Sequence, residues 1–300
     1  MKLRHIQVVQ RACVTWLCER DIFVTGTSDG RIVDHDLHVH TFLSACSHDE
    51  QATPQHIIAR AAEAGLRTIG FSDHMWDSRV PGASDWYRPQ TFDHISQTRA
   101  QLPADTNGVR VLIGCETEYC GDGRIGISRE TAEQLDFVLV PISHLHMKGF
   151  VVPAGDLAPA RVAAVMVQRF NEVVGLGLAT GIAHPFLPLG YRDVVDEVLG
   201  LIPDEQFLDS FGRAADAGVS IEVTIHDFPS LGDGETEGFH DESFLRVLTL
   251  AKQAGCVFHF ASDTHTLAGV GSSLDLEPYV RSVGIGRSDV LPLAAGETGC

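Results

Sequence analysis

The sequence Asp-Leu-His-Val-His-Thr at residues 36–41 indicates most about the fold of this chain. It ends a short apolar run, and His38 and His40 stand two positions apart in it. Side chains at positions i and i+2 of a β-strand point to the same face, so both imidazoles can face the same side. The stretch therefore predicts a strand whose C-terminal end carries a pair of histidines.

The same arrangement recurs along the chain. Each short apolar run ends in polar residues and is followed by a stretch with helical periodicity. The runs predict strands at 32–38, 68–72, 109–115, 137–142, 179–183, 219–223 and 257–261. Helices are predicted at 54–64, 92–101, 156–175, 192–202, 204–217, 241–254 and 275–283. Seven strands that alternate with helices predict an α/β fold with a parallel sheet, and this number favours a closed or nearly closed barrel.

No linker rich in proline, glycine or serine divides the chain after residue 31. We therefore expect a single barrel domain over residues 32–300. Residues 1–31 match no pattern and are predicted to form an N-terminal extension of unknown role.

Six of the seven predicted strands end in histidine, aspartate or glutamate. The C-terminal strand ends are where β/α barrels place their active sites. Imidazole and carboxylate groups together suit zinc, manganese or iron. The candidate residues at these ends are His38, His40, Asp73, His74, Glu116, His144, His184, Asp263 and His265.

The order and context of these motifs resemble the PHP family, the polymerase and histidinol phosphatase superfamily. The resemblance covers residues 33–270 and includes the segments 38–41, 72–74, 114–116, 183–185 and 262–265. It implies a distorted (β/α)7 barrel that holds two or three divalent metal ions and hydrolyses phosphoesters. It implies no other cofactor.

The resemblance also implies how the ligands divide among the metal ions. The first ion would be held by His38, His40, Glu116 and Asp263. The second would share Glu116 and add His144 and His184.

A third ion would take His74, His265 and one residue from the loop after the first motif. Direct counting places Cys46 at that position, and a nearby metal would lower the pKa of its thiol. His48 or Asp49 could replace Cys46 if the loop is shifted. Cys46 could equally be a small buried loop residue.

Two pairs of neighbours leave an alternative open. His144 is preferred over His146 because it directly follows the serine at the strand end. Glu116 is preferred over Glu118 because its spacing from Gly114 fits the family pattern.

The leaving group would need a proton donor, and the sequence does not choose among three residues. The candidates are Asp73, His184 and His265. Asp73 could instead orient a histidine ligand.

Charge restricts the substrate, because 22 Lys and Arg face 40 Asp and Glu, for a net charge of −18. Such a surface repels long nucleic acids and anionic membranes. We expect a small phosphomonoester or a short oligonucleotide. The cations that could bind phosphate are Arg79, Arg88, Arg124, Lys148 and Arg192.

Histidinol phosphate is disfavoured as the substrate, because the segment from Glu222 to Asp227 lacks the asparagine and arginine of those phosphatases. Trp76, Trp86 and Tyr87 flank the second motif and could wall a pocket or pack in the core. Two other functions remain open: hydrolysis of an amide or lactone with the same metals, and metal binding without catalysis.

The seven cysteines are odd in number and form no C-x-x-C motif, which indicates a reduced, cytoplasmic protein. Charged residues interrupt the N-terminal segment, so no signal peptide is predicted. No apolar stretch is long enough to span a membrane. The oligomeric state is not predicted.

Overall fold

A computed structural model describes residues 30–232 and 234–296 of the chain. In this part, seven strands form one parallel sheet in which each strand pairs with the next along the chain. They are β1 (His35–Val39), β2 (Thr68–Phe71), β3 (Arg110–Glu116), β4 (Phe137–Pro141), β5 (Gly181–Ala183), β6 (Ser220–Thr224) and β7 (Phe258–Ala261). All seven predicted strands are confirmed, with small differences at their ends.

The sheet returns on itself, because β7 meets β1. The His40 amide donates a hydrogen bond to the Thr264 carbonyl (3.0 Å) beyond the end of β7. Lower in the barrel, the Ser262 amide donates to Asp36 Oδ1 (3.0 Å). The register of β1 against β2 shifts between Asp36 and Val39. The result is a nearly closed, distorted seven-stranded β/α barrel, as predicted.

Helices lie between the strands and after the last one, and those at 129–132 and 292–295 were not predicted. They are α1 (Pro54–Ala64), α2 (Phe92–Ile95), α3 (Gln97–Ala100), α4 (Arg129–Ala132), α5 (Pro159–Leu176), α6 (Val195–Gly200), α7 (Asp204–Ala217), α8 (Asp241–Gln253), α9 (Glu277–Ser282) and α10 (Pro292–Ala295). Thr53 caps α1 through a bond from the His56 amide, and Gly65 ends it with φ of 85°.

Two predicted helices are broken in the structure. The helix predicted over 92–101 divides at Ser96 into α2 and α3. The helix predicted over 192–202 begins as a 3-10 turn at Arg192–Val194 before α6. Both corrections concern boundaries and leave the barrel unchanged.

A close contact inside the barrel depends on glycine. A Cβ atom at Gly114 would lie 2.6 Å from the ring of Phe137, which is 1% exposed. We expect Gly114→Ala to lower the free energy of unfolding by about 1–3 kcal/mol, because the buried ring must move. Urea unfolding measures this change.

Gly175 in α5 is the matched control, because a Cβ atom there would meet nothing within 4 Å. Gly175→Ala is expected to be neutral or to stabilise by up to about 1 kcal/mol, since alanine is favoured over glycine inside a helix. Equal destabilisation by both substitutions would contradict the packing argument.

From Arg31 onward the described residues belong to one compact unit. Residues 1–29, which include Cys13 and Cys18, lie outside the described residues, and the extension over 1–31 stays a prediction. Among the described helices, none is long and apolar enough to cross a bilayer.

Candidate metal centre

The strand-end residues converge at one mouth of the barrel. Within the described residues, three groups have donor atoms that all lie within 4.8 Å of one another. The groups are His38, His40 and Glu116; Glu116, His144 and His184; and His40, Cys46, His74 and His265. The structure thus brings together the side chains of each expected set, with His40 joining the third.

Glu116, at the end of β3, lies at the centre of this arrangement and is 1% exposed. Its Oε2 atom is 3.2 Å from His38 Nε2 and 3.0 Å from His74 Nδ1. Its Oε1 atom is 3.2 Å from His184 Nε2 and 3.6 Å from His144 Nε2. The two carboxylate oxygens therefore face different histidines, Oε2 those of the first and third groups and Oε1 those of the second.

Asp263 completes the first group from the β7 side. Its Oδ1 atom lies 3.4 Å from His38 Nε2 and 3.3 Å from His40 Nε2. The backbone has φ of 51° at Asp263 and 29° at His184. Non-glycine residues rarely adopt such conformations, which cluster at functional sites.

The loop after β1 distinguishes among the three residues considered for the third group. The Cys46 side chain is in that group. His48 is exposed, and Asp49 instead accepts bonds from the amides of Gln51 and Leu267. The geometry therefore favours Cys46 over both alternatives.

Asp73 lies behind the donor groups. Its carboxylate accepts bonds from the Thr41 amide (2.7 Å) and the Ser44 hydroxyl (2.7 Å). The Ser44 hydroxyl oxygen also lies 3.0 Å from His40 Nδ1. Through Ser44, Asp73 fixes the ring of His40.

The structure separates the two pairs of neighbours that the sequence left open, His144 and His146, and Glu116 and Glu118. His144 belongs to a donor group, whereas His146 is exposed. Glu118 lies outside the three groups, but its Oε2 atom is 2.7 Å from His144 Nδ1 and accepts a bond from the Tyr87 hydroxyl (3.2 Å). Glu118 therefore orients His144, as partners of metal-binding histidines do.

Sequence reasoning missed a second orienting carboxylate, Glu222 of β6. Its Oε2 atom lies 2.9 Å from His38 Nδ1 and 3.1 Å from His259 Nε2, and its Oε1 atom accepts the His184 amide (2.9 Å). Glu222 is fully buried. The available signal was an acidic residue in the middle of an otherwise apolar strand.

Burial and mutual charge set the ionisation of these groups. Burial alone would raise the pKa of Glu116, but His74 and His38 hold it well below its usual range. Burial opposes charge on His38 as well, yet Glu222, Asp263 and Glu116 raise its pKa well above the ordinary value. Burial raises the pKa of the Cys46 thiol to about 12, and Glu116 and Asp263 add to the effect.

The donor set fits divalent metal ions. Imidazole nitrogens and carboxylate oxygens face one another at distances of 3.0–3.6 Å. His74 Nδ1 is buried and makes no hydrogen bond, although Glu116 Oε2 is nearby. A buried imidazole nitrogen that lies beside an ionised carboxylate without a well-aligned hydrogen bond is in the environment of a metal ligand.

A cavity of about 450 Å³ opens over the three groups. It is lined by Cys46, His74, Trp86, Tyr87, Glu116, His144, His146, Met147, Leu189, Asp263 and His265. None of these described lining residues is a lysine or arginine, so none of the five candidate cations lines it. Trp76 is buried in the core and does not line this cavity.

The sequence profile of the PHP domain matches residues 36–209. The chain belongs to the PHP domain family. The expected family resemblance is therefore confirmed, and the matched segment contains the motifs on the first five strands.

Two relatives carry names of the same kind. A probable phosphatase of Aliivibrio fischeri (strain MJ11) is 24% identical over 248 residues, which cover 83% of this chain and 84% of that protein. A probable phosphatase of Syntrophotalea carbinolica is 32% identical over 104 residues, 35% of this chain and 38% of that protein. The family and these relatives support an enzyme of the phosphatase type.

The fold is similar to that of a solved enzyme. The crystal structure of histidinol phosphate phosphatase from Lactococcus lactis, in complex with zinc, L-histidinol and phosphate, aligns with a TM-score of 0.50 and 16% identity. The alignment covers 84% of this chain and 94% of that one. This similarity supports the PHP-type barrel.

Proposed function

We propose that this protein is a metal-dependent phosphatase that hydrolyses a small phosphomonoester. The observation that carries the proposal is the set of three donor groups around Glu116, at the mouth of a PHP-type barrel. The names of the two relatives point to the same reaction class.

The donor groups would hold two or three divalent ions, of zinc, manganese or iron. The first would lie among His38, His40, Glu116 and Asp263, the second among Glu116, His144 and His184, and the third among Cys46, His74 and His265. Ions held there would supply charge for the phosphate oxygens and lower the pKa of a water molecule.

The chain's own residues explain why this reaction would need metal ions. The lining residues described for the cavity include no lysine or arginine to offset a phosphate dianion. Arg79 pairs with Asp77, Arg88 with Asp85, and Lys148 with Asp156. Arg124 lies over the ring of Phe150 and Arg192 over that of Phe239. None of the five candidate cations is among the described residues that line the cavity.

His265 is the proton-donor candidate that the geometry favours. It lines the cavity, and its side chain is 31% exposed. His184 faces Glu116 and Ser143 beneath the cavity, and Asp73 is held by Thr41 and Ser44. We therefore assign protonation of the leaving alkoxide to His265 in a centre of two ions, where its imidazole holds no third ion, and an orienting role to Asp73 in either case.

The remaining substrate predictions rest on charge. A net charge of −18 disfavours long nucleic acid as a substrate. The absence of the expected asparagine and arginine after Glu222 still disfavours histidinol phosphate. The cytoplasmic location also stays a prediction.

A panel of phosphomonoesters, amides and lactones tests the proposal with the metal-loaded protein. We expect release of inorganic phosphate from several esters and no comparable turnover of the amides and lactones. Turnover confined to an amide or lactone would replace the proposal with the alternative hydrolase. No turnover despite full metal loading would indicate a metal-binding protein without catalysis.

The third group gives a prediction for Cys46. Cys46→Ser is expected to lower metal content by up to one ion per chain and to weaken catalysis, because a thiolate binds zinc better than a hydroxyl does. Elemental analysis and phosphate release measure the two effects, while circular dichroism should show a folded barrel.

Cys115→Ser is the matched control, since Cys115 is fully buried on β3 and lies outside the donor groups. It should change stability more than metal content. Unchanged metal content in Cys46→Ser, with a loss in His48→Ala or Asp49→Ala, would move the third ligand to one of those residues.

A further inference from the structure

The cavity over the donor groups is lined by two chemically different sets of side chains. The set formed by the donor groups is polar and holds Cys46, His74, Glu116, His144, Asp263 and His265. The apolar residues of the lining are Trp86, Tyr87, Met147 and Leu189, which together are called the apolar wall, and the rings of Trp86 and Tyr87 lie 5.1 and 6.1 Å from that of His74. A phosphate drawn to the polar set would leave the rest of the substrate against this apolar wall.

The wall provides nothing that would pair with a charged leaving group. Its described residues include no lysine or arginine, and the lining carboxylates Glu116 and Asp263 both face the histidines of the donor groups. A carboxylate or a second phosphate would therefore lose its hydration without gaining a partner, and an ammonium would find only the face of an aromatic ring. The other polar groups of the lining are the Tyr87 hydroxyl, which donates to Glu118, and the imidazole of His146.

Trp86 is held in place with part of its ring free. Its ring packs edge-on against His74 (5.1 Å between centroids) and against Tyr87 (4.7 Å). Tyr87 is fully buried, and its hydroxyl donates to Glu118. Trp86 nevertheless remains 36% exposed. A large exposed aromatic ring braced in this way is suited to stack against a flat ligand.

We propose that Trp86 selects phosphomonoesters whose leaving group carries a flat, uncharged ring. This inference rests on the proposed phosphatase function and names its substrate class. A cavity of about 450 Å³ has room for a phosphate and a small ring system. Trp86 would contact the ring, while the donor groups bind the phosphate.

Benzyl phosphate and ethyl phosphate test the proposal, because both release a primary alcohol and differ mainly in the ring. For the metal-loaded wild type, we expect kcat/KM to be about tenfold higher with benzyl phosphate, the effect of one stacked ring. Trp86→Ala should lower the benzyl-to-ethyl ratio of kcat/KM from about tenfold to about one, whatever change it causes in both rates. Trp86→Phe should retain most of the preference.

Phe42→Ala is the matched control, because Phe42 is also 36% exposed but does not line the cavity. It should leave the benzyl-to-ethyl ratio unchanged, and the metal content of every variant is measured alongside. Equal rates with both esters in the wild type would overturn the inference and leave the phosphatase function intact. An equal loss with both esters in Trp86→Ala, at unchanged metal content, would also overturn it. Failure to hydrolyse any phosphate ester would refute the proposed function itself.

Discussion

Replacement of Glu116 by alanine is expected to remove more than one metal ion per chain and nearly all activity. Its two oxygens face different donor groups, with Oε2 3.2 Å from His38 Nε2 and Oε1 3.2 Å from His184 Nε2. Loss of both ions would lower kcat/KM by about a thousandfold or more, since metal ions contribute several kcal/mol to such transition states. Elemental analysis and phosphate release measure the two losses.

Glu118→Ala is the control for this substitution. Glu118 is equally buried, but it contacts the outer nitrogen of His144 and lies outside the donor groups. Removing such an orienting partner typically costs about 10–100-fold in metal affinity or activity. Full metal content and full activity in Glu116→Ala would show that the bridging assignment is wrong.

Glu222→Ala is expected to cause the largest loss of stability. This buried carboxylate contacts His38 and His259 and accepts the His184 amide. Its removal leaves buried polar groups without partners, and breaking a buried ion pair costs about 3–5 kcal/mol. Urea unfolding of the chelated protein measures the change in the free energy of unfolding.

Two variants serve as controls for the loss of stability in Glu222→Ala. Glu222→Gln keeps an oxygen for the His184 amide and should lose less stability than alanine does. Glu63→Ala removes an exposed carboxylate that pairs with Arg60 on the surface of α1, so we expect less than about 1 kcal/mol. A loss in Glu222→Ala no larger than that in Glu63→Ala would contradict the structural role of Glu222.

The sequence predicted those features that depend on local pattern. The alternation of His38 and His40 on one strand, and the recurrence of polar residues at strand ends, required no knowledge of distant contacts. A β/α barrel brings the C-terminal strand ends to one mouth, whatever the conformation of the loops. The strand order therefore agrees with expectation, and the strand-end side chains lie close together, while their roles as metal ligands stay predictions.

Features that depend on contacts across the barrel were not predictable. Glu222 meets His38 across 184 positions of sequence, and only the closed sheet makes them neighbours. The sequence also could not show which of the aromatic residues after the second motif line a pocket and which pack in the core. Trp76 is buried in the core, whereas Trp86 lines the cavity. Both residues are tryptophans that follow the second motif, so the sequence does not distinguish between them.

Titration of metal into the chelated protein, followed by phosphate release, tests the central claim most directly. If the donor groups around Glu116 form the catalytic centre, the metal-free protein is inactive, and activity returns only as two or more ions bind each chain. The same titration of Glu116→Ala should restore almost none of it. Phosphate release at the full rate by metal-free protein would contradict the account.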